Sequence, residues 1–217
     1  MGIFSPLLDI LFPPRCVFCA ALLYKGSKGI CPECLEKLPL TGNHASQKGQ
    51  FYSLCVSPLY YEDDVRESLL RYKFKSSTGY AEHYGKLMAE CVRKELSGRY
   101  DFISWVPLSK KRLKERGYDQ ARLLAEALAG ELDAELKGSL EKTRNSPKQS
   151  TMGSPEKRRA NISGAYRVTD RALVEGKRIL LIDDIITSGS TLAECARMLR
   201  QSGAAEVVCA TVARSRE

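Results

Sequence analysis

Arg178-Ile179-Leu180-Leu181-Ile182-Asp183-Asp184-Ile185-Ile186-Thr187-Ser188-Gly189-Ser190-Thr191 is the stretch that decides how this chain folds. Ile179 to Ile182 is apolar without alternation, the pattern of a strand covered on both faces in the middle of a parallel sheet. Asp183 and Asp184 follow at its carboxyl end. A run of small polar residues comes next, then a helix whose buried face is marked by Leu192, Cys195, Ala196 and Leu199 and whose stop is Gly203. Glu206 to Val212 reads as the following strand. Strand, small-polar loop and helix make a phosphate-binding geometry, because free amides at the helix start and the local dipole favour an anion. Gly189 lets the backbone come close, and the hydroxyls of Thr187, Ser188, Ser190 and Thr191 can donate to phosphate oxygens. Thr191 with Glu194 also fits a capping box, so an ordinary helix start is the competing reading. That reading leaves two acids at the strand end unexplained. A ribose beside the phosphate explains them, since a carboxylate can accept two hydrogen bonds from a vicinal diol.

The loop lacks the Gly-x4-Gly-Lys of a Walker A site and the Gly-x-Gly-x2-Gly of dinucleotide folds. It resembles the type I phosphoribosyltransferases, whose hallmark is an apolar strand, two acids and a Thr/Ser-Gly loop. That resemblance implies an α/β fold with a mostly parallel central sheet flanked by helices. It also implies phosphoribosyl diphosphate (PRPP) as ligand. Asp183 and Asp184 become the candidate catalytic and ribose-holding pair. Ile185, Thr187, Ser188, Gly189, Ser190 and Thr191 frame the phosphate, and Mg²⁺ comes with the diphosphate.

Upstream, Ile103-Ser104-Trp105-Val106-Pro107-Leu108 reads as another strand, running into a basic loop from Ser109 to Ala121. A basic loop at a strand end is well placed to meet a diphosphate, which makes Lys110, Arg112 and Arg116 candidates; a solvated helix face is the alternative. The next helix buries Ala121, Leu124, Ala125 and Leu128 and is expected to stop at Gly130. Thr143 to Ser150 and Arg158 to Tyr166 are polar, basic and punctuated by Gly and Pro. They read either as a lid that excludes water from a reactive centre, with Arg144 a further ligand candidate, or as a surface loop. Phe51 to Tyr61 reads as a strand and Asp63 to Phe74 as a helix. Tyr84, Leu87, Met88, Cys91 and Val92 share one face of another helix.

The chain has 217 residues, 43% hydrophobic and 28% charged, with eight cysteines and a net charge of +8. Four cysteines are clustered as Cys16-x2-Cys19 and Cys31-x2-Cys34. Two such turns offer the tetrahedral sulfur shell that Zn²⁺ prefers, and four protein ligands close it, so the zinc is structural. Two disulfides or four free thiols are the alternatives; His44 and His83 read as ordinary histidines. Cys55, Cys91, Cys195 and Cys209 sit in apolar stretches, which excludes a secreted disulfide framework. No apolar run reaches the roughly 18 residues of a membrane helix. Met1 to Phe12 lacks a basic leader and a cleavage site, so a cytoplasmic location is expected, with a short membrane-surface helix stopped by Pro13-Pro14 as the lesser reading. The expected division is residues 1–45 for an N-terminal helix and zinc knuckle, and 51–217 for the phosphoribosyltransferase-like body. Thr41 to Gln50 is read as the boundary between them.

A narrower resemblance spans nearly the whole chain. The knuckle, Val106-Pro107-Leu108 with Arg112-x3-Arg116-Gly117-Tyr118-x-Gln120-Ala121, Thr143-Arg144-x4-Gln149, Arg158-x2-Asn161-x2-Gly164-Ala165-Tyr166 and the Asp183-Asp184 loop resemble, in that order, the ComF (ComFC) family. Ser188 stands where many members carry Thr. The resemblance implies a link to natural DNA uptake in bacteria, with competence proteins as partners and no settled substrate. Three functions stand side by side: phosphoribosyl transfer to an acceptor, single-stranded DNA binding through the knuckle and basic segments, and PRPP sensing without turnover. Tyr72, Phe74 and Tyr118 are candidate base-stacking residues for the second.

Overall fold

The computed structural model describes residues 13–23, 29–75, 77–144 and 162–216. Met1 to Phe12, with the expected N-terminal helix, and most of the expected lid between residues 145 and 161 lie outside the described residues. The elements in chain order are α1 (Pro32–Lys37), β1 (Ser46–Gln47), β2 (Cys55–Val56), β3 (Leu59–Tyr60), α2 (Asp63–Phe74), α3 (Tyr80–Leu96), β4 (Phe102–Trp105), α4 (Lys110–Arg116), α5 (Gln120–Leu132), β5 (Leu140–Lys142), β6 (Tyr166–Val168), α6 (Arg171–Val174), β7 (Arg178–Ile186), α7 (Ser190–Gln201) and β8 (Glu206–Arg214).

Strands β2, β8, β7 and β4 pair in parallel, with β1 antiparallel at one edge, in the order β1-β2-β8-β7-β4. Strand β3 pairs with β8 further along the edge that β2 uses. The unalternated run expected of a central strand is β7, which is flanked by β8 and β4 and covered on both faces. Leu180 and Ile182 join a core with α2, α3, α5 and the cysteine knuckle. Ile179 and Leu181 join a second core with α7, β6 and α6. This is the layered arrangement of an α/β protein.

Several boundaries differ from the sequence reading, each for a local reason. The strand expected over Phe51 to Tyr61 is two short strands, because Pro58 interrupts the ladder and Ser57 turns its hydroxyl onto Thr211 Oγ1 at 2.7 Å. Part of the expected boundary between knuckle and body, Ser46–Gln47, is β1 of the sheet. The basic segment expected as a loop forms helix α4, capped by Ser109 at its start and ended by Gly117 at φ 83°. Helix α5 runs past Gly130 to Leu132, where Asp133 takes the left-handed conformation at φ 49°. Helix α2 spans Asp63–Phe74 as expected, and Tyr84, Met88 and Val92 are buried on α3, with Leu87 and Cys91 packed beside them.

The topology places the site. From β4 the chain crosses through α5 to Leu136, which bridges Ile103 in parallel on the outer side of β4. From β7 it crosses through α7 to β8, in the opposite direction and on the opposite face of the sheet. The carboxyl ends of β4 and β7 therefore diverge, and in open α/β sheets ligands bind in the crevice at such a switch point.

Candidate functional site

A cleft of about 650 Å³ opens there, lined by Val106 to Leu108 after β4, by Asp183 to Leu192 of β7, its loop and the start of α7, and by side chains from α2, α4, β5 and β6. The sequence reading put the two acids at the strand's end; in the structure β7 continues through them to Ile186. Both line the cleft. Neighbours on a strand point to opposite faces, so Asp183 follows Leu181 toward α7 and Asp184 follows Ile182 toward α2. Asp184 is only 4% exposed, and its Oδ2 lies 2.8 Å from Lys73 Nζ of α2. Burial works against the Lys73 ammonium, and Asp184 more than offsets it, so Lys73 is held above its ordinary pKa. On the other face, Asp183 Oδ1 accepts from the Asp184 amide at 2.8 Å. Its carboxyl is pushed up to about 8, by burial first and by the Asp184 carboxylate second.

The loop turns at Gly189, whose φ of 69° is the left-handed region a side chain rarely adopts. A Cβ there would also lie 3.0 Å from Tyr52 Oη, which backs the loop. Gly189 is the N-cap of α7 and makes no side-chain cap bond. The competing reading placed a cap at Thr191 and Glu194; the N-cap is Gly189, and Glu194 accepts from the Gly164 amide at 2.6 Å and from Arg197 at 2.7 Å. Thr187 and Ser188 are exposed, and Ser188 Oγ lies 2.9 Å from Ser190 Oγ. Among the described residues, the start of α7 thus faces the cleft with no carboxylate at its N-cap, as an anion seat requires.

Helix α4 divides the basic run. Arg112 and Arg116, one turn apart, line the cleft, whereas Lys110 is exposed and points elsewhere. Arg116 bonds Gln120 Oε1 and stacks 5.1 Å from the centroid of Phe74, a ring that is 61% exposed on the cleft wall. Arg144 is exposed, bonds the Ser163 carbonyl and does not line the cleft. Sequence reasoning passed over Lys73 and Lys142, and met Tyr166 only as the end of a family motif and of the expected lid. Lys142 Nζ bonds Tyr166 Oη at 3.0 Å, and burial, helped by Arg112, lowers its pKa. Lys73 did leave a signal: Val65, Leu69 and Lys73 form one i, i+4 stripe on α2, so a lysine continues a buried row.

At the amino-terminal end, the Sγ atoms of Cys16, Cys19, Cys31 and Cys34 all lie within 4.8 Å of one another. Cys19 and Cys31 are 3.7 Å apart, close to the edge of about 3.8 Å that a tetrahedron with zinc–sulfur bonds of about 2.3 Å requires. The Cys31 amide points at Cys16 Sγ and the Cys34 amide at Cys31 Sγ, each at 3.4 Å. Amides aimed at sulfur favour the thiolate that zinc takes. All eight cysteines are free thiols, so the disulfide alternative is gone. His44 is exposed, and the His83 ring packs over Gly29 beside the knuckle. Neither belongs to the cysteine cluster.

Residues 119–217 match the phosphoribosyl transferase domain, and residues 7–53 match the double zinc ribbon domain. The DNA utilization protein YhgH of Escherichia coli O157:H7 is 30% identical over 83% of this chain and 82% of its own length. Competence protein ComFC of Bacillus subtilis is 34% identical over 71% of this chain and 62% of its own, and competence protein F of Haemophilus influenzae is 26% identical over 89% and 93%. The chain belongs to the ComF family. Its ComF relatives are linked by name to competence and DNA utilization, and its carboxyl-terminal part is a phosphoribosyl transferase domain joined to a zinc-binding module. The matched transferase span starts at Asp119, the N-cap of α5, so Lys73 and Arg112 on the cleft wall lie outside it. Among the described residues, no helix of this ComF chain is long and apolar enough to cross a membrane.

Proposed function

We propose that this ComF protein binds PRPP, with Mg²⁺ on its diphosphate, in the cleft between β4 and β7. One observation carries the reading: the uncapped start of α7 and the hydroxyls of Thr187 to Thr191 share a cleft with Asp183 and Asp184 at the switch point of the sheet. The 5′-phosphate sits on the α7 amides, where backbone donors need no counter-ion. Asp183, on the face toward α7, accepts from the ribose hydroxyls. Asp184 is held by Lys73 and shapes the same edge. Arg112 and Arg116 on one wall and Lys142 on another face the diphosphate, and Mg²⁺ supplies further charge neutralisation there. Phosphoribosyl transfer passes through a loose, cation-like ribosyl centre, so the work of the chain is positioning and leaving-group stabilisation. Calorimetric titration with PRPP and Mg²⁺ tests the pocket. The wild type is expected to release heat saturating at one ligand per chain, and Asp183→Asn to lose most of it. A wild-type titration without heat or thermal shift removes the reading, and diphosphate release distinguishes transfer from sensing.

A second reading, single-stranded DNA binding, draws on the outer face of α4. Lys110, Lys111 and Lys114 are exposed there while Arg112 and Arg116 turn to the cleft. A chain of net charge +8 with relatives named for DNA utilization fits phosphate-dominated binding, which weakens steeply with salt. Changing Lys110, Lys111 and Lys114 to Ala is expected to lower the slope of log affinity against log salt by about 2, at roughly 0.7 per phosphate contact. An unchanged slope removes α4 as the DNA contact.

A further inference from the structure

Within its last two turns, helix α2 touches the zinc knuckle through Ser68 and Arg71 and the cleft through Lys73 and Phe74. On the knuckle side, Ser68 Oγ and Arg71 Nη2 both donate to the Val17 carbonyl, the latter at 3.0 Å, and Arg71 also donates to the Phe18 carbonyl. Val17 and Phe18 are the two residues between Cys16 and Cys19, so these carbonyls belong to the turn that presents the first pair of thiolates. On the cleft side, Lys73 holds Asp184 and Phe74 forms part of the wall. A second row of contacts runs in parallel. Phe18 packs on Tyr84 with centroids 6.2 Å apart, Tyr84 meets Tyr72 edge-on at 5.5 Å, and Tyr72 lies 6.3 Å from Tyr118. Tyr118 lines the cleft and donates to the Tyr72 carbonyl, while Tyr72 Oη donates to the Gln120 carbonyl at 2.8 Å. Ser68 ties the two rows together through Tyr84 Oη at 2.6 Å.

We infer that α2 is a positioning element that couples metal loading of the knuckle to the ribose-phosphate cleft, with Arg71 as its latch and Lys73 as its output. The residues present suit the zinc they would hold, and what matters here is the turn that metal fixes. With the turn formed, two carbonyls are aimed at Arg71 and Ser68, and α2 is pinned in the register that sets Lys73 against Asp184. Without it, the carbonyls scatter, Phe18 leaves Tyr84, and the amino-terminal cover of α2 is lost. The Lys73 ammonium then has a second option, solvent, and Asp184 becomes a buried carboxylate without its counter-ion, which a low-dielectric site opposes. The coupling therefore requires Lys73 to have two positions, on Asp184 or in solvent, and the measurements below test for the second.

The inference rests on PRPP as the cleft's ligand only for one of its readouts. Amide hydrogen exchange of the full chain, measured zinc-loaded and after chelation, reads α2 directly: residues 63–74 are expected to lose protection while β7 and β8 keep theirs. Arg71→Ala is expected to keep one zinc per chain, because all four thiolates remain, yet to show the same loss of α2 protection. It should also weaken PRPP binding about tenfold, with Lys73→Ala weakening it comparably and Lys73→Arg restoring part of the loss. Should Arg71→Ala fail to fold, Ser68→Ala removes one of the same bonds and is read in the same way. Unchanged α2 exchange on chelation and in Arg71→Ala overturns the coupling. If the wild type binds no PRPP, the proposed ligand fails, while the exchange data still decide the coupling on their own.

Discussion

Asp183→Asn and Asp184→Asn are expected to move the melting temperature in opposite directions, although the two residues are neighbours with the same side chain. Asp184 is 4% exposed and paired with Lys73, whose own side chain is 21% exposed. Replacing it with Asn leaves a mostly buried ammonium without its counter-charge. Breaking a buried pair from one side costs about 3 kcal/mol at the lower end of such cases, roughly a 6–12 °C fall for a chain of this size. Asp184 is thus part of the fold's support as well as of the cleft wall. Asp183 has no cation at ion-pair distance among the described residues, and its carboxyl is pushed up to about 8 by burial and by Asp184. For an acid whose proton is held more tightly when folded, stability is full below the unfolded value near 4 and falls as pH rises toward 8, because the unfolded chain gives up the proton first. Asp183→Asn removes that loss. Its gain is absent at pH 4 and grows as the pH rises toward 8, where a higher melting temperature than that of the wild type is expected. Melting curves of both variants at pH 4.5, 6 and 8 check this. Equal falls for the two, or an Asp183→Asn effect indifferent to pH, would remove the assignment. An acid kept at a net cost to the fold is what a binding site, not a scaffold, retains.

The same contrast shows what could be read in the sequence. The site's skeleton was legible because it is local: an unbroken apolar run, two acids, a left-handed glycine and an amphipathic helix follow one another from Arg178 to Gln201, and each imposes its own geometry. Helix α3 was legible for the same reason, since its face of Tyr84, Met88 and Val92 is fixed by periodicity alone. The cysteine spacing likewise carried its geometry with it. What escaped depends on elements that meet only in the folded chain. Nothing near Asp184 announces Lys73, and nothing near Tyr166 announces Lys142, because α2 and β5 reach the cleft from distant parts of the sequence. The partners of Glu194 escaped for a related reason: its spacing from Thr191 left a local cap as a competing reading, and the Gly164 amide comes from a distant part of the chain. The basic run around Arg112 could be read as loop or helix, and a serine cap and a left-handed glycine settled it. Its division into a cleft-facing pair and an outward lysine face follows only once the helix is known.

Removing zinc is expected to be the most damaging single change to this protein. The knuckle is not a free appendage: Cys16, Val17, Phe18, Cys31 and Cys34 belong to the same buried core as α2, α3 and α5, and Phe18 is 0% exposed. A segment this short cannot bury enough surface to fold unaided, so metal binding supplies the order; structural zinc in small domains contributes an apparent ~10–16 kcal/mol. Part of that is spent ordering the two turns, and the remainder holds Phe18 against Tyr84 and covers Ser68 and Arg71. Chelation, or Cys16→Ser, is therefore expected to lower the melting temperature by more than about 10 °C and to bring zinc content from one per chain to none. Cys91→Ser is the control: its thiol is half-buried on α3, away from the cluster, so it should keep one zinc. Full zinc content in Cys16→Ser would refute the four-thiolate shell, and an unchanged melting curve after complete chelation would mean that the core around Phe18 closes without the metal. The second outcome would also remove the reason for α2 to respond to zinc, because a turn that keeps its shape without the ion has nothing to report to Arg71.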